Sequence, residues 1–138
     1  MKPILGIIGG SGLYALSGLK NTRLLNIKTP YGTTSSKLHI SNYKSLKVVF
    51  LPRHGKNHHI PPSKINYRAN IDALKQLGVT DILSISSVGS LKETLQPGSF
   101  VIVDQFIDLT KYRISSFFDA DIVVHVSMAH PTDKALMD

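Results

Sequence analysis

The chain has 138 residues, 42% of them hydrophobic, 18% charged and none of them cysteine, which suits one domain with its own core and excludes a disordered polyion, a disulfide scaffold and a cysteine nucleophile. No apolar run approaches the roughly 18 residues of a membrane span, and the apolar stretch in MKPILGIIGG meets glycines too early for a secretory signal, so a cytoplasmic location is expected. The net charge of +7 is laid down unevenly: residues 1–71 hold eleven Lys or Arg and no acid, which suits an anionic ligand, a nucleic acid or an acidic partner, and equally suits a lysine-rich solvated surface.

In chain order, Ile4 to Ile8 is a short apolar run closed by Gly9-Gly10-Ser11-Gly12, a buried strand entering a glycine-rich turn. Leu24 to Lys28 and Lys37 to Ile40 are a second pair of strands, with turn chemistry between them at Thr29-Pro30-Tyr31-Gly32. Leu46 to Leu51 is strand-like around Val48-Val49-Phe50. Residues 52–62 form a loop, after which Ser63 is a fitting cap for a helix running to about Leu77, with Tyr67, Ile71, Leu74 and Leu77 as its apolar stripe and Gly78 as its stop. Asp81 to Ser87, Phe100 to Phe106 and Ile122 to Met128 are further strands. Such nearly continuous apolar runs predict a sheet buried on both faces, hence α/β architecture. Residues 131–137 read as the first turn or two of a helix, capped by Thr132 or Asp133, and the chain then ends, which leads us to expect a fragment or a truncated gene product.

Three donor-rich strand ends stand out. Gly9-Gly10-Ser11-Gly12 is neither a Walker loop, a dinucleotide fingerprint nor a nucleophile elbow, but its backbone N–H groups and the Ser11 hydroxyl can approach an anion; a plain tight turn is the alternative. In Arg53-His54-Gly55-Lys56-Asn57-His58-His59, an Arg at the carboxyl end of a strand can grip phosphate with its fixed fork of donors, and the nearby His side chains can donate to phosphate or stack on a ligand. A solvated basic loop is the alternative there, and a metal is disfavoured because no carboxylate or Cys lies before Asp72. Ser86-Ser87-Val88-Gly89-Ser90 ends another strand with hydroxyls and a glycine. Ligands of open α/β sheets collect outside the carboxyl ends of strands, so these three segments are expected either to converge on one anion or to be independent turns. His125, inside IVVHVSM, reads on its own as a satisfied core residue, and Asp104 and Asp108 as locally paired rather than a catalytic carboxylate pair.

At these residues the chain resembles a known family. GIIGGSGLY, FLPRHGKNH, PSKINYRANIDALKQLGV, VGSLKETLQPGSFVIVDQFIDLT and SFFD…VVHVSMA, in that order, are similar to 5'-methylthioadenosine phosphorylases of the purine nucleoside phosphorylase superfamily, from about Ile4 to Ala129. The resemblance covers about the N-terminal half of a family member. It implies a single truncated phosphorylase domain over 1–138, α/β, with a mixed, partly barrel-like central sheet flanked by helices and incomplete at the C-terminus. It implies phosphorolysis of 5'-methylthioadenosine or a related purine nucleoside, giving free purine and the sugar 1-phosphate, in purine salvage. Members of this kind are usually homotrimers.

Carried over by position, Ser11, Arg53, His54, Ser86 and Ser87 form the phosphate site, with backbone contact the safer inference at Ser87. His58 and Pro62 lie near the ribose and its 5' substituent, and His125 reaches the 5' pocket of a neighbouring subunit. No residue matches the acid that stabilises the departing purine, so no catalytic side chain is assigned. Inorganic phosphate is a co-substrate; no metal or organic cofactor is implied, and no membrane. Two other readings stand beside this one: an inactive phosphate- or nucleoside-binding remnant of the family, and a basic nucleic-acid-binding module, the latter disfavoured by few aromatics (7%, no Trp) and no nucleic-acid-binding motif.

Overall fold

The computed structural model describes residues 2–10, 18–118 and 121–138, which fall into two compact units, Met1–Ser87 and Val88–Asp138. The first unit holds a five-stranded sheet: β1 (Ile4–Gly9), β2 (Lys20–Leu25), β3 (Leu38–Tyr43), β4 (Leu46–Pro52) and β5 (Asp81–Ser84), in the spatial order β2-β3-β4-β1-β5. β1 lies between β4 and β5 and is parallel to both, in the registers Gly6↔Val49 and Gly6↔Ile82. β3 is antiparallel to β4, and β2 to β3.

This open order corrects the expected partial barrel. Closure requires the two outer strands to meet, and here β2 and β5 are the sheet's edges; β2 is exposed along its whole length and most of β5 is exposed. β2 also begins earlier than its apolar residues suggest. Its place is set by pairing with β3 (Leu25↔Leu38, Lys20↔Asn42), across a register shift at which Asn21 takes a left-handed φ of 55°. Backbone pairing, rather than an apolar run, makes this strand.

One α-helix occurs among the described residues, α1 (Tyr67–Gln76), lying between β4 and β5 in sequence. Ten residues make a marginal helix in water, so packing must hold it. Ala73 and Leu74 join Leu38, Ile40, Val49 and Leu51 in the core, with Ile4, Ile8, Ile27, Leu77 and Val79 packed around them. Each large side chain so buried contributes about 1.5–3 kcal/mol. The buried stripe is displaced from the expected one: Ala69, Asn70, Ala73 and Leu74 face inward, and Tyr67 is exposed. Ala69 and Ala73 are fully buried.

The cap is Asn66 rather than Ser63. Asn66 Oδ1 accepts from Ala69 N (3.1 Å), and its Nδ2 donates to the Tyr31 carbonyl (2.7 Å). Ser63 falls in a short 3-10 turn (Pro62–Lys64) bounded by extended backbone at Pro61 and Ile65, so an α-helix cannot start there. Asn70, only 2% exposed, accepts from Ser35 N (2.9 Å) and donates to Ser35 Oγ (2.9 Å), which fastens the β2–β3 connection to the helix. Gly78 follows the helix at φ 75°, as a stop residue should.

The second unit has no strand among its described residues, which corrects the expected strands at 100–106 and 122–128. An apolar run becomes a strand only through a ladder partner. Here the hydrogen bonds are local turns, such as Thr110 N to Asp108 Oδ1 and Phe118 N to Ser116 Oγ (each 2.9 Å). Gln105 Nε2 ties the two segments by donating to the Met128 and Ala129 carbonyls (3.0 and 3.3 Å), a side-chain link and not a ladder. Their apolar side chains are exposed, Phe100 at 97% and Val123 at 86%. The terminal helix is reduced to a 3-10 turn, Lys134–Leu136, capped by Asp133, whose Oδ1 accepts from Ala135 N (2.9 Å) and Leu136 N (3.2 Å).

Replacing Asn66 by Ala is expected to cost about 1 kcal/mol in a urea titration, whereas Ser63→Ala should stay within about 0.5 kcal/mol of the unmodified protein. Equal effects at the two positions would show that the cap is not where this structure has it.

Candidate functional site

β4, β1 and β5 are parallel, so their carboxyl ends share one edge of the sheet. Three chain segments leave that edge together: Gly9-Gly10, Pro52-Arg53 and Ser84-Ile85. Backbone bonds carry the sheet pairing past the strands, from Arg53 N to the Gly9 carbonyl (3.0 Å) and from Ile85 N to the Ile8 carbonyl (2.9 Å).

The Arg53 side chain joins all three segments. Its Nη1 donates to the Ile85 carbonyl at 2.6 Å. Its Nη2 lies beside Gly10, 3.7 Å from where a Cβ would stand on that residue. Its Nε donates to His54 Nε2 at 3.1 Å. The guanidinium is half-buried, and its hydrogen bonds among the described residues go to a carbonyl and an imidazole rather than to a carboxylate. A fixed cation at the open end of parallel strands, beside glycine backbone, is suited to an anion.

His54 is 7% exposed and forms the floor of the following loop. A guanidinium can only donate, so Nε2 accepts and the ring proton sits on Nδ1, which donates to the Ile60 carbonyl (2.9 Å). Ile60 N returns a bond to the His54 carbonyl (3.0 Å). The His58 ring stacks on that of His54 with centroids 4.2 Å apart and planes at 27°. His59 Nδ1 donates to the Lys56 carbonyl (2.7 Å). The loop passes through three positive-φ positions, at Gly55 (φ 74°), Asn57 (φ 64°) and His58 (φ 55°).

Of the expected phosphate residues, Arg53 and His54 therefore sit together at this edge. Ser86 and Ser87 continue the chain from Ile85 and are exposed. Ser11 lies outside the described residues. His58 is exposed over His54, and Pro62 is exposed at the start of the 3-10 turn, its carbonyl accepting from Tyr67 Oη (3.3 Å). His125 is exposed in the second unit, in a segment without strand structure, so the core reading of that residue does not hold. Asp108 is locally satisfied: Thr110 donates to its Oδ1 from Oγ1 (2.7 Å) and N (2.9 Å), and these bonds hold its carboxyl below the usual range. Sequence reasoning did not anticipate the carbonyls of Ile85 and Ile60, which orient Arg53 and His54. Backbone acceptors leave no trace in residue type; only the strand-end position of Ile85 hints at it.

Among the described residues, no three His, Cys, Asp or Glu side chains are grouped to hold a metal ion. None of the described helices is long and apolar enough to cross a membrane.

A family model described as the phosphorylase superfamily matches residues 4–138. The chain is 53% identical over 137 residues to an S-methyl-5'-thioadenosine phosphorylase of Rhodospirillum rubrum, covering 99% of this chain and 47% of that protein. It is 57% identical over 130 residues to one from Thermofilum pendens, covering 94% of this chain and 50% of that protein. Among solved structures, a methylthioadenosine phosphorylase from an antarctic soil metagenomic library superposes with a TM-score of 0.89 at 52% identity, over 94% of this chain and 45% of the other. The methylthioadenosine phosphorylase of Schistosoma mansoni does so at 0.88 and 44% identity, over 94% and 48%. These matches correct the expectation of a resemblance that stops near Ala129 and represents an N-terminal half only: it continues to residue 138 and takes in nearly the whole chain. The chain spans about half the length of the curated relatives it matches.

Gly55→Ala tests how firmly the loop is built. A Cβ at position 55 would stand 2.6 Å from His59 Cε1, on backbone at φ 74°. The substitution should lower stability by about 1–3 kcal/mol in denaturant titration. A neutral substitution would mean that the loop adopts another conformation.

Proposed function

The chain belongs to the phosphorylase superfamily, and from that premise we propose that it acts in the phosphorolysis of 5'-methylthioadenosine, a reaction of purine salvage. The observation that carries the proposal is the Arg53 guanidinium, held across three strand ends by the Ile85 carbonyl and His54 and lying beside Gly10. The names of its relatives supply the nucleoside.

The chemistry asks little of side chains as nucleophiles. A phosphate oxygen bonds to C1' of the ribose as the bond from C1' to the purine nitrogen breaks. The bonding pair leaves with the purine, which takes up through solvent the proton that the attacking phosphate gives up, and the sugar leaves as 5-methylthioribose 1-phosphate. The ribose gains positive charge in passing, and a phosphate fixed beneath it offsets that charge and is already in place for attack. Arg53 neutralises and orients the phosphate. Backbone amides at Gly10 and at Ser86-Ser87, with the hydroxyls of Ser11 and Ser86, complete its set of donors. His58 and Pro62 border the ribose side. None of these residues is an acid that could protonate the purine.

The finer parts of this reading rest on the family resemblance: one phosphorylase domain over 1–138, a homotrimer in which His125 reaches the 5' pocket of a neighbouring copy, and a cytoplasmic location. Phosphate is a second substrate rather than a resident cofactor.

Adenine release from 5'-methylthioadenosine, followed with and without inorganic phosphate, tests the proposal. Release should depend on phosphate, and Arg53→Ala should lower kcat/KM by about 10²–10³-fold. Release that ignores phosphate rejects the proposal. Phosphate binding without any turnover would instead support an inactive member that keeps only the anion site.

A further inference from the structure

We propose that the His54 imidazole positions Arg53 and is not itself a phosphate ligand. The inference rests on the phosphate-site reading above and deepens it.

Both imidazole nitrogens are committed within the protein. Nε2 accepts from Arg53 Nε (3.1 Å), and Nδ1 donates to the Ile60 carbonyl (2.9 Å). The residue is 7% exposed, and one face of its ring is covered by the His58 ring at 4.2 Å. No N–H remains on it to offer an anion. The consequence falls on Arg53. A flexible arginine has many rotamers, and an anion site needs one of them. Two anchors select it: the Ile85 carbonyl takes Nη1 (2.6 Å) and the His54 ring takes Nε. A planar group held at two of its three nitrogens has no freedom left in its plane, and the third, Nη2, is kept beside Gly10. The Ile60 carbonyl matters for the same reason. By accepting from Nδ1 it fixes the tautomer in which Nε2 carries a lone pair; the opposite tautomer would set an N–H against the N–H of Arg53.

Two substitutions separate the ring's two bonds. His54→Asn places an amide near Nδ1, keeping a donor for Ile60 but losing the acceptor for Arg53. His54→Gln places a carbonyl oxygen near Nε2 and keeps that acceptor. The probe is inorganic phosphate, titrated against the full chain. His54→Asn should weaken binding roughly 10- to 100-fold, the range for losing a hydrogen bond to a charged group, while His54→Gln should recover most of it. In an Arg53→Lys background, which keeps the charge but has no Nε–H to anchor, His54→Asn should change phosphate binding less than about twofold. An undiminished effect there would show that His54 meets the anion directly and would overturn the proposal. A merely structural role would make Asn and Gln equally harmful, which also overturns it. Nitrogen-15 NMR of the His54 ring gives a readout that needs no phosphate: the Nδ1–H tautomer is expected at neutral pH, and the Nε2–H tautomer or a doubly protonated ring would refute the arrangement. If the unmodified protein binds no phosphate, the anion-site reading fails, and the tautomer alone still decides whether His54 holds Arg53.

Discussion

The Arg53 guanidinium crosses the sheet edge from β4, over the end of β1, to the first residue after β5, and closes on the Ile85 carbonyl at 2.6 Å. A positive group placed there is costly unless it is hydrogen-bonded, and each of its fixed bonds reaches a neutral acceptor. The bonds satisfy its geometry and leave its charge in place. That distinction is what suits a structural tie to the proposed anion site. A carboxylate partner would stabilise the same geometry while cancelling the charge. The first acid in the sequence is Asp72, so the whole chain through β4 and the loop after it offers none.

The site depends on β4, β1 and β5 being parallel. Antiparallel neighbours would send consecutive strand ends to opposite edges, and three loops could not meet. Here α1 carries the chain from the end of β4 back to the start of β5, so that β4, β1 and β5 all finish at one edge. The helix can do this because it is anchored twice: by the apolar contact of Ala73 and Leu74 with the sheet, and by the polar contacts of Asn66 and Asn70 with the β2–β3 connection. The buried asparagine is thus part of how the anion edge is assembled, although it lies away from it.

How much of this was legible depended on whether a feature resides in side-chain type or in pairing. β1 and β4 are apolar and β-branched, and their positions follow from the sequence nearly as they stand. β2 is polar and exposed, so its bounds come only from its partner β3. The helix cap was misplaced because Ser63 is the better capping residue by type, while the extended backbone imposed by the prolines at 61 and 62 postpones the helix to Asn66. At 100–106 and 122–128 the apolar pattern indicates what would pair if a partner strand were present, and the described residues there make side-chain ties instead. In the site, Arg53 and the glycines were readable because guanidinium and bare backbone are chemically distinctive. The role of His54 was not: a histidine beside an arginine reads as a second donor, and only the geometry shows the ring accepting.

The charge asymmetry of the sequence and the charge of the site are separate matters. Eight of the eleven cations before Asp72 are lysines, and all eight are exposed. At physiological ionic strength an exposed charge is screened beyond about 8 Å. Such lysines raise the local concentration of an anion and hasten its arrival, but they hold nothing in a particular orientation. Arg53 works in the opposite regime: half-buried, with its donors fixed, it acts by contact, where screening is weak and geometry decides. A phosphate that must sit under one carbon of a sugar needs the second kind of charge. The basic half of the chain therefore favours anions in general without placing one, and Arg53, held still by two acceptors, is the group that would orient the proposed phosphate.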